Sequence, residues 1–174
     1  CALPNFIQQE VIDLLGARTE HKEQIIEITS RAMRGELTFD EALRARVALL
    51  KGLSGDVLAE VRAEISLSPG ARTLIRTLHH LGHKVGIVSG GFSDVIAPLA
   101  DELKLDFVLA NKLEIHDGYL TGNVVGEIVN RERKASALRE FAAREKIDIA
   151  QTVAVGDGAN DLEMLKLEIG RAHV

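Results

Sequence analysis

The chain has 174 residues, of which 46% are hydrophobic and 27% charged, a composition typical of a globular domain with room for one small appended unit. A net charge of −5 argues against a nucleic-acid-binding surface, and no apolar run approaches the roughly 20 residues of a membrane span. Cys1 is the single cysteine, which excludes an internal disulfide and a cysteine-based zinc cluster. We expect no signal peptide and a cytoplasmic location.

Apolar residues recur at spacings of three and four through the first third of the chain, which predicts amphipathic helices. Thr19 is a candidate N-cap, and Thr38 with Glu41 has the pattern of a capping box. The pattern shows no convincing strand, so residues 10–66 are predicted to be helical. The predicted helices cover residues 6–16, 19–35, 38–51 and 56–63.

Helices and strands alternate from residue 69 onwards. Asp117-Gly118 between two alternating runs predicts a hairpin, and the apolar run 152–155 predicts a strand buried on both faces. Such alternation is typical of an α/β fold, in which helices cover both faces of a parallel sheet. The predicted helices are 71–81, 93–103, 131–146 and 162–165, and the predicted strands are 84–88, 107–109, 112–115, 119–125 and 152–155.

Two of the predicted strands are followed by residues whose polar groups could bind a ligand. Residues 89–91 (Ser-Gly-Gly) offer a hydroxyl and free backbone N–H groups for phosphate oxygens, and Asp157 offers a carboxylate for Mg²⁺. Lys134 is a candidate point charge for phosphate; the alternative, which its charged neighbours favour, is a lysine on a solvated helix face. Residues 156–161 could also be a plain turn in which Asn160 or Asp161 caps a helix. No Gly-x-Gly-x-x-Gly follows the strand at 84–88, which disfavours a dinucleotide-binding fold.

Three of these segments resemble the second, third and fourth motifs of the haloacid dehalogenase-like phosphatases. They are Val-Ser-Gly-Gly-Phe at 88–92, Arg-Lys-Ala at 133–135 and Val-Gly-Asp-Gly-Ala-Asn-Asp at 155–161. Residues 6–13 and 38–50 are similar, more narrowly, to the phosphoserine phosphatases of that family. The resemblance covers residues 6–167. It implies a Rossmann-like parallel sheet as the core, residues 67–167, with an inserted helical cap, residues 10–66.

The resemblance also implies a role for each matched residue. Ser89 and the backbone N–H of Gly90 would hold phosphoryl oxygens, Lys134 would neutralise their charge, and Asp157 would bind Mg²⁺. Asn160, with Asp161, would order the site and contact the substrate. Glu10 would bind the ammonium group of phosphoserine and Arg46 its carboxylate, since a guanidinium fork suits a carboxylate.

The chain departs from the family pattern at its ends. The family's nucleophilic aspartate and its acid–base aspartate would fall at Cys1 and Leu3, so both are absent. We expect the first strand and the C-terminal part of the fold to be missing. Residues 1–5 and 168–174 are expected to be non-native, because the resemblance stops abruptly there and 168–174 match one reading frame of a common sequencing adapter.

The resulting hypothesis is that the intact parent hydrolyses O-phospho-L-serine to L-serine and phosphate, with Mg²⁺ and an aspartyl-phosphate intermediate, as the family does. The chain as printed is expected to be inactive. The expected partner is a small-molecule substrate, with no nucleic acid and no membrane. Two alternatives stay open: another small-metabolite phosphatase or phosphotransferase of the same family, and a non-catalytic phosphate-binding pseudoenzyme.

Overall fold

The computed structural model describes residues 7–156 and 159–167, together with the backbone of residues 170–173. These residues form an α/β fold, as predicted from the alternation of helices and strands. The expectations for Cys1, Leu3 and Asp157 lie outside the described residues. No helix in the described ranges is long and apolar enough to cross a membrane.

The segment 10–66 contains four helices and none of the named strands of the described chain, as predicted. The first helix begins later than expected, because Ile7 forms an antiparallel bridge with Leu67 and the Gln8 N–H donates to the Ser66 carbonyl at 3.0 Å. The four helices are α1 (Val11–Gly16), α2 (Lys22–Met33), α3 (Phe39–Ala48) and α4 (Val57–Glu64).

The two predicted caps in this segment have different outcomes. The capping box of α3 is confirmed: the Glu41 N–H donates to Thr38 Oγ1, and the Glu41 carboxylate accepts from the Thr38 N–H. Hydrogen bonds from the Thr38 backbone and hydroxyl lower the pKa of the Glu41 carboxyl. The prediction for Thr19 was wrong, because α2 begins at Lys22 and the Thr19 hydroxyl instead accepts from the N–H of His21.

The remaining described elements follow in chain order. They are α5 (Ala71–His80), β1 (Gly86–Phe92), α6 (Ser93–Leu103), β2 (Phe107–His116), β3 (Tyr119–Val125), α7 (Arg131–Arg144), β4 (Val153–Gly156), α8 (Leu162–Leu165) and β5 (Gly170–His173). Within the described residues, β1, β2 and β3 form one sheet, and β4 and β5 form a second sheet. The pairs β1–β2 and β4–β5 are parallel, as an α/β fold requires.

Strand β2 joins two strands that the sequence predicted as separate. Its first half pairs in parallel with β1, and its second half pairs in antiparallel fashion with β3. One continuous strand therefore serves both the parallel sheet and the hairpin. The predicted hairpin turn is confirmed, with φ values of 49° at Asp117 and 82° at Gly118, the left-handed pair that a tight hairpin turn needs.

Two expectations about burial were wrong. Val153 in β4 is 70% exposed, so this strand is not buried on both faces; among the described residues it pairs with β5 alone. Leu74 and Leu81, two of the apolar residues that indicate an amphipathic helix over 71–81, are also exposed, and Ile75 is the residue of α5 that enters the core. Hydrophobic spacing predicted the helix, but packing partners decide which face is covered.

The largest hydrophobic cluster joins the helical segment to the sheet. Leu15, Ile25 and Leu50 from the helices pack in one cluster with Phe92 of β1 and Leu113 of β2. The hairpin also contacts the helical segment through its backbone, since the Leu120 N–H donates to the Leu53 carbonyl at 2.8 Å. These contacts hold α1, α3 and the end of β1 close together, and this arrangement creates the cavity described below.

Asp106, at the start of β2, ties α5 to the beginning of β1. Its carboxylate accepts from Lys84 Nζ at 2.8 Å, from the Val85 N–H at 2.9 Å and from His79 Nε2 at 3.1 Å. Partial burial would raise the pKa of the Asp106 carboxyl, but these three hydrogen bonds outweigh it and hold the pKa below its ordinary value.

Candidate active site

A cavity of about 400 Å³ lies between α1, α3, the end of β1 and the start of α8. Its volume is within the range of small-molecule sites. Every candidate site residue that falls in the described residues lines it. These are Glu10, Arg46, Ser89, Gly90, Lys134 and Asn160.

Ser89, Gly90 and Gly91 lie inside β1 rather than in a loop after it. The sequence placed the strand end at residue 88, but pairing with β2 continues to Phe92 after an irregularity between Ser89 and Phe92. The Gly91 N–H donates to Ser89 Oγ at 3.0 Å, which folds this bulge over its own side chain. A bulge re-aims the backbone, so the two glycines face the cavity although the strand continues.

Gly90 also lies close to the helical segment. A Cβ atom at this position would be 2.8 Å from Cζ of Phe39 and 3.9 Å from Nδ2 of Asn160. Phe39, at the start of α3, therefore covers the backbone of Gly90 at van der Waals distance. In the sequence, Phe39 is one of the periodic apolar residues of the predicted helix 38–51. Its apolar character gave no signal that it would line the candidate site.

Lys134 is buried, so the solvated helix face considered for it is excluded. Its Nζ donates to Asp161 Oδ1 at 2.7 Å. Helix α7 brings Lys134 there because Asn130 caps the helix: the Asn130 side chain accepts from the Arg133 N–H at 3.0 Å. An ammonium group has three N–H donors, so the contact with Asp161 leaves donors for a bound anion.

Asp161 contributes more to the site than its position in the motif predicts. It was considered as a helix cap, but it makes no side-chain capping bond to α8, and its carboxylate is held against Lys134 instead. Gly156 permits this placement, since a Cβ there would lie 2.6 Å from Cβ of Asp161. The signal was present in the motif as a carboxylate at a strand end, but the partner lies 27 residues away in sequence.

Glu10 and Arg46 reach the cavity from α1 and α3. The Arg46 guanidinium is buried and donates through Nε to the Ala42 carbonyl at 3.2 Å and through Nη1 to Thr29 Oγ1 at 3.3 Å. Burial lowers the pKa of Arg46, and the negative charges of Glu10 and Asp13 act in the opposite direction. The guanidinium is thus held in place by its own helix and by α2, while Glu10 stays exposed to solvent.

A polar contact joins the start of α7 to the helical segment. Nδ2 of Asn130 donates to Asp40 Oδ1 at 3.2 Å, which links the cap residue of α7 to the first turn of α3. Sequence reasoning did not identify this pair, because the two residues are 90 positions apart.

Asn160 and Asp161 supply amide and carboxylate oxygens at the cavity wall. Among the described residues, no group of three or more His, Cys, Asp or Glu side chains is arranged to hold a metal ion. Mg²⁺ does not need such a group, because it binds through one or two carboxylates, substrate phosphate and water. The carboxylate and amide oxygens of this wall are therefore ligands of the type that Mg²⁺ binds.

Comparison with known proteins places these features in context. A model described as haloacid dehalogenase-like hydrolase matches residues 7–166. The phosphoserine phosphatase of Streptomyces coelicolor is 58% identical over 159 residues, covering 91% of this chain and 39% of the relative. That of Streptococcus thermophilus is 50% identical over 160 residues, covering 92% of this chain and 74% of the relative. The chain thus spans about two fifths of the first relative's length.

Solved structures agree with the sequence relatives. A substrate-bound phosphoserine phosphatase complex superposes with a TM-score of 0.88 at 38% identity, covering 94% of this chain and 78% of the other. An unliganded probable phosphoserine phosphatase from Vibrio cholerae gives a TM-score of 0.84 at 43% identity, covering 91% of this chain and 49% of the other. The predicted resemblance to these phosphatases, and the predicted fold class, are confirmed.

Proposed function

Because the chain belongs to the haloacid dehalogenase-like hydrolase family, we propose that its cavity binds O-phospho-L-serine and serves the Mg²⁺-dependent hydrolysis of this substrate to L-serine and phosphate. One observation carries the proposal. A single cavity is lined both by phosphate-binding groups and by a carboxylate together with a buried guanidinium. Phosphoserine combines a phosphate, an ammonium and a carboxylate, and each of these charges has a complementary group in this cavity.

The phosphate end of the proposed site consists of Ser89, the backbone N–H of Gly90, and Lys134. Since Ser89 Oγ already accepts from the Gly91 N–H, the hydroxyl proton is available to donate to a phosphoryl oxygen. Lys134 adds a positive charge with spare donors. In phosphoryl transfer, such positioning and charge stabilisation supply most of the catalysis.

The amino-acid end consists of Glu10 and Arg46. Arg46 is pre-organised, because its hydrogen bonds to Ala42 and Thr29 hold the guanidinium before any ligand arrives. A guanidinium fork recognises a carboxylate by parallel hydrogen bonds, and Glu10 offers the opposite charge to the ammonium. This pairing favours an amino-acid phosphate over a neutral sugar or alcohol phosphate.

We further propose that residues 10–66 act as a helical cap over a core formed by residues 67–167. The support is that Glu10, Phe39 and Arg46 reach the cavity from the helical segment, whereas Ser89 and Lys134 reach it from the sheet side. A cavity shared by two segments can exclude water from the reacting phosphate when it closes.

Asp157 is proposed as the Mg²⁺ ligand, with Asn160 beside it as an ordering and substrate-contacting residue. When bound, Mg²⁺ would offset the negative charge of the phosphoryl group. In the parent reaction the phosphoryl group would pass through an aspartyl-phosphate, and the chain has Cys1 and Leu3 where the family has its two reacting aspartates. We therefore expect the chain as printed to bind phosphoserine without turning it over.

The presence of Cys1 and Leu3 also keeps a second function in view, that of a phosphate-binding pseudoenzyme. Binding alone does not separate it from a phosphatase, but reconstruction does. Residues 7–166, placed after the Asp-x-Asp-Ser-Thr segment of a full-length relative and before that relative's C-terminal residues, should hydrolyse phosphoserine if the site is that of an enzyme. A well-folded reconstruction that binds phosphoserine without releasing phosphate would favour the pseudoenzyme.

Calorimetric titration of the chain in the presence of Mg²⁺ tests the substrate directly. We expect phosphoserine to bind more tightly than inorganic phosphate or phosphothreonine. Arg46→Lys should weaken phosphoserine binding by about tenfold or more, because hydrogen bonds to charged groups contribute about 1.5–3 kcal/mol, and should leave inorganic phosphate binding unchanged. Arg62→Lys is the matched control, since Arg62 is exposed and outside the cavity.

Glu10→Gln, with exposed Glu20→Gln as its control, tests the ammonium contact in the same way. Equal affinities for phosphoserine and inorganic phosphate would overturn the assignment of an amino-acid phosphate. A preference for a different phosphorylated metabolite in a substrate panel would point to another phosphatase or phosphotransferase of the family.

A further inference from the structure

We infer that Asn111 is a positioning residue that sets the geometry of the phosphate end of the cavity, an inference that rests on the proposed function. Asn111 is 1% exposed and does not line the cavity. It lies in β2 at the point where this strand stops pairing with β1, opposite Phe92, and begins pairing with β3. An amide side chain at such a buried position must be fully hydrogen-bonded to be tolerated.

The first contact of Asn111 fixes the bulge of β1. Its Nδ2 donates to the Gly90 carbonyl at 2.8 Å. The N–H of the same peptide unit belongs to Gly91 and donates to Ser89 Oγ at 3.0 Å. Because the carbonyl and N–H of a trans peptide point in opposite directions, these two bonds fix the plane of the Gly90–Gly91 peptide from both sides. They also fix where the Ser89 hydroxyl lies.

The second contact of Asn111 reaches the segment that carries Lys134. Its Oδ1 accepts from the Val129 N–H at 2.8 Å, in the buried approach to α7. The next residue, Asn130, caps this helix, and its carbonyl accepts from the Lys134 N–H at 2.9 Å. A single side chain therefore joins the bulge that bears Ser89 to the start of the helix that bears Lys134.

These two contacts explain how groups 45 positions apart in sequence keep a fixed separation. Strand β1 and helix α7 pack against each other through Val88 and Ala137, and the Asn111 side chain adds hydrogen bonds to the bulge of β1 and to the residue before the cap of α7. Without the Asn111 amide, the Gly90 carbonyl would lose its hydrogen-bond donor. The peptide plane of the bulge could then rotate, because glycine has the widest range of backbone conformations. The phosphate donors would then lose the alignment on which charge stabilisation depends.

Asn111→Asp is the sharpest variant. The aspartate has the same shape and can still accept from Val129, but it places a carboxylate oxygen against the Gly90 carbonyl. Asn111→Ser removes both contacts without adding charge. Asn123→Asp is the matched control, because Asn123 is exposed on the neighbouring hairpin, makes a hydrogen bond to Glu114, and receives the same added charge.

The measurement is a pair of titrations of each variant, one with inorganic phosphate and one with L-serine, followed by NMR of the ¹⁵N-labelled chain. We expect Asn111→Asp and Asn111→Ser to weaken phosphate binding by about tenfold, the size expected for lost alignment of hydrogen bonds to a charged ligand. L-Serine, which contacts Glu10 and Arg46 in the proposed site, should keep its affinity within about twofold. Asn123→Asp should resemble the unmodified chain with both ligands.

The outcomes separate this inference from the function on which it rests. Unchanged phosphate affinity in both Asn111 variants would overturn the inference alone. An equal loss for phosphate and L-serine, or loss of the fold in both variants, would show a general structural role and would also overturn it. An unmodified chain that fails to bind one of the two ligands would contradict the proposed function itself, and the inference would fall with it.

Discussion

The buried ion pair between Lys134 and Asp161 allows a test of how burial changes the coupling energy between two charged side chains. Nζ and Oδ1 are 2.7 Å apart, and the two side chains are only 7% and 3% exposed. At an effective dielectric constant of about 20, two unit charges at this distance attract each other by roughly 6 kcal/mol. The desolvation of both groups offsets much of this attraction, so the net contribution of the pair is far smaller.

Removing one member of the pair should lower the free energy of unfolding much more, because the desolvation cost of the remaining charge persists. Lys134→Met keeps the apolar stem but removes the ammonium next to Asp161. Removal of one partner from a buried pair costs about 3–5 kcal/mol. For a chain of this size, 4 kcal/mol corresponds to a Tm decrease of roughly 8–16 °C.

A double-mutant cycle isolates the interaction from other effects of the substitutions. Unfolding by urea, without ligand, is compared for the unmodified chain, Lys134→Met, Asp161→Asn and the double variant. Asp161→Asn preserves the shape of the side chain, removes its charge and keeps one oxygen that can accept a hydrogen bond. We expect a coupling energy of about 2–3 kcal/mol, the upper part of the range for residues in direct contact.

The pair between Lys166 and Glu163 is the control. Its charges are also 2.7 Å apart, but the side chains are 61% and 39% exposed. The same cycle with Lys166→Met and Glu163→Gln should give a coupling energy close to the experimental error, because water and salt screen exposed pairs. A coupling at Lys134–Asp161 no larger than at this exposed pair would refute the reasoning from burial.

Three further predictions concern Gly156, Asp106 and Thr38. Gly156→Ala should lower the free energy of unfolding by about 1–3 kcal/mol, since a new Cβ would lie 2.6 Å from Asp161; an unchanged urea midpoint would contradict this. The pKa of the Asp106 carboxyl is lowered in the folded state. Its ionised carboxylate therefore stabilises the fold fully above the unfolded-state pKa of about 3.9, and this stabilisation is lost as pH falls through the lower pKa of the folded state. Asp106→Asn should therefore be less stable than the unmodified chain at pH 7, with a difference that shrinks below about pH 4 in urea titrations; a pH-independent difference would exclude this linkage. Thr38→Ala should lower the free energy of unfolding by about 1 kcal/mol, because it removes the capping box. Thr77→Ala, at an exposed site within a helix, should cause no measurable change in thermal unfolding. Equal losses of stability in the two variants would argue against the cap.

Local sequence signals predicted most of the elements, because their causes are local. The capping box at Thr38 requires residues three positions apart, and the hairpin turn requires left-handed backbone at Asp117-Gly118. Both causes are contained in a few adjacent residues, so a single sequence suffices. The prediction for Thr19 rested on the same kind of local signal but was wrong. The Thr19 hydroxyl accepts from the N–H of His21 in the turn before α2, so it does not cap the helix.

Strand ends and burial were predicted less well, because they depend on partners. Strand β1 runs past residue 88 because Ser89 pairs with Ala110 and because Phe92 pairs with Asn111 beyond the bulge. The exposure of Leu74 and Val153 likewise depends on what packs against them. A hydrophobic pattern indicates which residues could be buried, but it does not identify the element that packs against them.

The sequence by itself determined the residue types of the candidate site and the motifs that carry them, because spacing along a strand–turn–helix is set by local backbone geometry. Only the tertiary structure decided that Glu10 and Arg46 face the same cavity as Ser89, Gly90 and Lys134. It also decided that Lys134 is buried against Asp161, and that Asn111 bonds to both sides of the phosphate end. These relations join residues that are distant in sequence, and they arise from the packing of α1 and α3 onto the sheet.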